Sequence, residues 1–193
     1  MTALIGWIRA LPVAAAIGLA AMAAVDAQTT VAPITAITAI FVRHAEKAAA
    51  PADDPPLTAA GEARARDLID VVRDAQVNAV ITTQFARTRG TAQPAAAALG
   101  ITPEVISATS PTHPQDVAAA IRKHGGQTVL VVGHSNTVPA IIEALGGKRP
   151  TMICDLVYDN LFVVTIAANG TVGVVHSRYG AASPADVSCL KAK

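Results

Sequence analysis

The chain has 193 residues, with 15 lysines and arginines against 14 aspartates and glutamates and a formal net charge of +1. That balance offers no reason to expect a nucleic-acid partner. The length suits one domain with a single core covered by helices, and no second domain is needed.

Met1 to Ala27 carries Arg9, the apolar stretch Leu11 to Val25, and the small-residue end Val25-Asp26-Ala27 before Gln28. This is the pattern of a secretory signal peptide cleaved after Ala27. The alternative, an uncleaved anchor helix, asks for roughly 20 apolar residues to cross a bilayer, which the stretch does not comfortably reach. The expectation is therefore a signal over 1–27 and a folded domain over 28–193, secreted or periplasmic, with no stable membrane insertion once the signal is removed.

Beyond a polar segment from Gln28 to Thr35, β-branched runs alternate with alanine-rich helical stretches. Such alternation predicts βαβ units. The fold class expected is α/β, a three-layer sandwich with a mainly parallel sheet and helices on both faces. The predicted strands are Ile37 to Val42, Ala79 to Thr83, Glu104 to Ile106, Thr128 to Val132, Leu161 to Ile166 and Val172 to His176. Thr58 can cap a helix from Ala59 to about Asp74, with Leu68, Val71 and Val72 on one face and Arg66, Asp70 and Arg73 on the other. A second helix starts near Arg87 and stops at Gly100. A third runs from Pro114 to His124 and a fourth from about Asn136 to Leu145, each stopped by a pair of glycines. The proline-rich run Ala48 to Pro56 reads as a loop over the mouth of a site.

The first strand opens into Arg43-His44-Ala45-Glu46, and the fourth into Gly133-His134-Ser135-Asn136. Strand ends are where α/β enzymes do their chemistry. The second strand leads to Arg87, so three edges each supply a cationic or nucleophilic side chain. A transferring phosphoryl group needs a nucleophile in line and fixed positive groups around its oxygens, and guanidinium forks suit that geometry. A lone histidine at a strand end is more often a structural residue than a nucleophile; the ordered set of edges carries the weight.

With Leu57-Thr58-Ala59-Ala60-Gly61 and Arg87-Thr88-Arg89-Gly90-Thr91-Ala92 added to these two histidine segments, the chain resembles the histidine phosphatase, or phosphoglycerate mutase-like, superfamily. Its small phosphatase type fits best. The resemblance implies that His44 is the nucleophile that becomes phosphohistidine. It further implies that Arg43, Arg87 and His134 bind the phosphate and stabilise the transferring group, with no metal and no cofactor. The expected partner is a phosphorylated small molecule or an envelope phosphate, as an ester or a phosphoramidate. The rival is a non-catalytic phosphate-binding module of the same fold.

The family's general acid has no counterpart at its usual places: Ser135 follows His134, and Val105 to His113 contains no carboxylate. Glu46 is the nearest catalytic candidate, though it could instead pair with Arg43 or Lys47; Asp159, Asp53 and Asp54 are weaker ones. Arg89 reads as a bystander, His113 as an exposed loop residue, His124 as a helix C-terminal cap and His176 as a residue alternating on a strand. Cys154 and Cys189 could form a disulfide tying the C-terminal tail to the body in an oxidising compartment, which spacing alone does not establish.

Overall fold

The computed structural model describes residues 36–184. The proposed signal over 1–27 and Cys189 lie outside the described residues. Among those described, six strands form one sheet in the order β3-β2-β4-β1-β5-β6. They are β1 (Ile37–Arg43), β2 (Val77–Thr82), β3 (Glu104–Val105), β4 (Thr128–Gly133), β5 (Asn160–Ile166) and β6 (Val172–Arg178). β1, β2, β3 and β4 pair in parallel, β5 runs antiparallel to β1, and β6 runs antiparallel to β5.

Four helices of the described residues cover the sheet: α1 (Ala59–Val72), α2 (Ala86–Leu99), α3 (His113–Arg122) and α4 (Thr137–Ala144). The two-residue alternation of a strand sorts its side chains between two cores. Phe41, Val129 and Val131 face Val117, Ile121, Ile141 and Ile142 of α3 and α4. Ile40, Val42, Leu130 and Val132 face Leu68 and Val72 of α1 and Ala92, Ala95 and Ala96 of α2. This is the expected three-layer α/β sandwich. No helix of the described residues is long and apolar enough to cross a membrane.

The local signals hold for physical reasons. The Gly61 amide donates to Thr58 Oγ1 at 3.1 Å, which caps α1, and Gly100 ends α2 with φ +67°, a conformation that glycine adopts without a Cβ penalty. Two expectations need correction. His113 is not an exposed loop residue: it opens α3 and is 2% exposed, because Pro114 in the first turn extends the helix back and turns the imidazole under the ends of β2 and β4. Glu46 pairs with neither Arg43 nor Lys47; its partner is Arg64, a residue of α1 buried to 3% exposure.

Candidate active site

β1 and β4 lie side by side with Arg43 opposite Gly133, so the residues that follow each strand emerge next to one another. The His44 amide donates to the Gly133 carbonyl at 2.9 Å, and the two imidazoles meet edge to face at 5.5 Å between centroids. His44 Nδ1 lies 2.8 Å from the Ala45 carbonyl oxygen. A carbonyl only accepts, so Nδ1 carries the proton and Nε2 keeps a free lone pair. Burial lowers the His44 pKa to about 3; the Ala45 bond opposes this, while Arg43, His134 and Arg87 add to it. The ring is neutral across the physiological range, with Nε2 unprotonated.

The turn after His44 is built tightly. The Ala45 amide donates to Thr91 Oγ1 at 2.8 Å, tying the turn to α2. On its other side α1 presses so close that a Cβ added to Gly61 would stand 2.2 Å from the Glu46 carbonyl oxygen. Glu46 accepts from Arg64 Nη2 at 2.7 Å and from its Nε at 3.0 and 3.1 Å, and Arg64 Nη1 also donates to the Tyr179 carbonyl. Burial pushes the Glu46 carboxyl up, but the Arg64 bonds outweigh it and hold the pKa below the ordinary glutamate value. Its carboxylate is committed to a brace beneath the turn.

Arg43 points from the end of β1 into the loop between α4 and β5. Its Nη1 donates to the carbonyls of Cys154, Asp155 and Val157 at 2.6, 3.0 and 3.2 Å, and its guanidinium lies over the Tyr158 ring at 4.4 Å. The Tyr158 ring is in turn 6.0 Å from that of His44. This carbonyl cradle has no counterpart in the sequence reading, since backbone acceptors leave no residue-type signal. Cys154 is disulfide-bonded.

Arg87, in the first turn of α2, stacks over Phe85 at 4.2 Å and faces the Asp54 carboxylate at 3.8 Å. Asp54 also accepts from the Ala86 amide at 2.7 Å, capping a helix whose own N-cap, Phe85, provides no side-chain acceptor. Burial lowers the Arg87 pKa and Asp54 opposes it. Arg89 turns to the Gln84 carbonyl instead. His134 Nε2 lies 3.1 Å from Thr83 Oγ1, which is 2.8 Å from Thr88 Oγ1; Thr88 in turn is 2.9 Å from the Phe85 carbonyl oxygen. Thr88 also reaches the Thr83 carbonyl at 3.2 Å, and along this chain each hydroxyl can donate or accept, so Thr83 pairs with either tautomer of His134. Burial, helped by Arg87, His113 and Arg43, lowers the His134 pKa to about 4.

Arg43, His44, Arg87 and His134 together line one open cavity of about 320 Å³, joined by Lys47 and by Ser135, Asn136 and Thr137 at the start of α4. Asp155 also lines it and supplies its one carboxylate among the described residues. Glu46, Asp53, Asp54 and Asp159 are absent from the lining; Asp159 is buried, bonded to Arg178 and to the Ser183 amide. The loop 48–56 reaches the edge of the site only through Asp54. His176 bonds Asn160 and stacks on Phe162 at 4.7 Å, away from the site. A larger cavity of about 490 Å³ lies against β5 and β6 and contains none of the four motif residues. Of the cations that line it, Arg149 and Arg178 are paired with Glu143 and Asp159, and Lys148 is the third. Among the described residues no group of three or more His, Cys, Asp or Glu side chains could hold a metal ion. The smaller cavity offers two guanidinium groups, an amine and two imidazoles around a space that suits a tetrahedral oxyanion.

Residues 39–108 match the family model described as histidine phosphatase superfamily (branch 1). No curated protein matches the chain. The solved structures similar to it include the protein histidine phosphatase SixA complexed with tungstate, at 18% identity and TM-score 0.58, covering 73% of this chain and 96% of that one. A phosphoserine phosphatase from Entamoeba histolytica, in complex with 3-phosphoglyceric acid, has 15% identity and TM-score 0.58, covering 75% of this chain and 98% of the other. A structure described as mycobacterial hydrolase 1 has 12% identity and TM-score 0.53, covering 76% and 99%.

Proposed function

We propose, for a chain whose fold is that of the histidine phosphatase superfamily and whose residues 39–108 match its sequence pattern, a phosphatase that works through a phosphohistidine on His44. The observation that carries this reading is the bond from His44 Nδ1–H to the Ala45 carbonyl, which leaves Nε2 unprotonated in a ring lining a cavity walled by Arg43 and Arg87. Nε2 attacks phosphorus in line with the ester or phosphoramidate bond, and the electron pair of the breaking bond leaves with the departing group. Arg43 and Arg87 balance the charge on the equatorial oxygens, the largest contribution such a site makes to rate, and the neutral His134 ring adds a hydrogen bond. Water then displaces His44 and releases phosphate.

The reaction is proposed to run without a metal, and the protein to act outside the cytoplasm, as the pattern of residues 1–27 suggests. The SixA neighbour is described as a protein histidine phosphatase and the Entamoeba enzyme as a phosphoserine phosphatase; both are consistent with a phosphomonoester or phosphoramidate substrate here. In EDTA, the protein should hydrolyse p-nitrophenyl phosphate. His44→Ala should abolish turnover with the fold intact, and quenched wild-type protein should carry acid-labile phosphate on His44. A folded wild type that binds phosphate but neither turns over nor becomes labelled would make it a binding module instead.

A further inference from the structure

A departing alkoxide needs a proton, and proton transfer by a positioned side chain contributes about a hundredfold or more in rate. Of the carboxylates near the nucleophile, Glu46 is committed to Arg64, Asp159 to Arg178 and Ser183, and Asp54 to the first amide of α2. Asp155 remains, and it lines the cavity that His44 lines. Its main chain is fixed, because its carbonyl accepts from Arg43 Nη1 at 3.0 Å. Its carboxylate stands 3.8 Å from Arg43 Nη2, beyond hydrogen-bond distance, and its side chain is 90% exposed. It is thus a carboxyl group held beside the phosphate-binding arginine in a loose, solvent-exposed ion pair and open to protons from solvent.

We propose that Asp155 is the proton donor to the leaving group, an assignment that rests on the phosphatase reading above. A phosphate dianion bound to Arg43 takes up that cation's charge and brings a second anion next to the Asp155 carboxylate. As the Nε2–P bond forms and the P–O bond to the alcohol breaks, the electron pair of that bond goes to the leaving oxygen, which takes the carboxyl proton of Asp155 and departs as alcohol. In the second half, the Asp155 carboxylate takes a proton from the attacking water as its oxygen bonds to phosphorus, and the N–P electron pair returns to His44. The residue ends as it began, and the products are alcohol and phosphate. The position, in a loop between α4 and β5, differs from both places where the sequence comparison with the family led one to look.

The test compares Asp155→Asn and Asp155→Glu with wild type on two substrates, p-nitrophenyl phosphate and glycerol 2-phosphate. Nitrophenoxide leaves without help, whereas the glycerol alkoxide does not. Asp155→Asn should lower the ratio of glycerol phosphate to nitrophenyl phosphate turnover by about a hundredfold, and Asp155→Glu should recover part of it. Matching thermal unfolding of the variants would show that the exposed side chain does not hold the fold. Equal losses on both substrates would overturn the assignment, as would a wild type active on the aryl ester alone. A wild type inert on both would instead overturn the phosphatase reading itself, and this proposal with it.

Discussion

At the scale of single residues, the site depends on keeping two imidazoles neutral among cations. His44 and His134 titrate at about 3 and about 4, against an ordinary value of 6.5. Two consequences are measurable. After correction for the substrate's own second ionisation near pH ~6, kcat/KM for an aryl phosphate should show no histidine inflection at 6.5 and should hold until the pH approaches 4. A surviving inflection at 6.5 would mean that His44 is not desolvated. Stability carries the same signature with a definite sign. Between pH 6.5 and about 3 the unfolded chain takes up a proton that folded His44 refuses, so native stability falls as the pH drops through that window. His44→Asn should remove that part of the slope in urea titrations. The residue types themselves were legible, because Arg43 and His44 sit at a recognisable strand end. Their partners were not, since the acceptors for Arg43 and His44 are backbone carbonyls, which any residue supplies.

At the scale of elements, hydrophobic periodicity and cap chemistry located the strands and helices of the described residues, with boundaries shifted by only a few residues. The failures came where packing overrode local pattern. The prolines around His113 suggested an open loop, yet Pro114 suits the first turn of a helix, and α3 carries the imidazole into the interior. Arg64 lies only two residues before solvent-facing Arg66, but the 3.6-residue period turns it inward to Glu46. Gly61 shows how closely α1 is seated on the turn that follows His44. Gly61→Ala places a methyl against the Glu46 carbonyl and forces the helix or the turn to move. We expect a loss of roughly 1–3 kcal/mol, seen as a lower urea midpoint at constant m-value, together with a fall in turnover larger than the unfolded fraction explains, because the displaced backbone holds His44. An unchanged midpoint would show that the two segments part easily.

At the scale of the whole molecule, the order β2-β4-β1 assembles the site. It sets His44, His134 and the strand leading to Arg87 side by side although they lie far apart in the chain. A single sequence carries no direct record of that order; local patterns report a mainly parallel sheet, and only the family resemblance says which strands are neighbours. The loop 48–56, whose prolines suggested a cover over the mouth of the site, is the other long-range element, and Asp54 anchors it beside Arg87. Asp54 joins it to the Ala86 amide at the head of the helix that carries Arg87. An amide whose acceptor belongs to a distant segment exchanges its hydrogen when that segment leaves. Deuterium uptake at Ala86 should therefore report the opening of the loop. Uptake at Ala45, bonded to Thr91 within the packed body, should stay slow. Comparable rates at both amides would show that the loop does not move independently. The same contact makes the loop and the helix that carries Arg87 one mechanical unit, so a ligand that fastens Arg87 also slows the breathing of a segment it never touches.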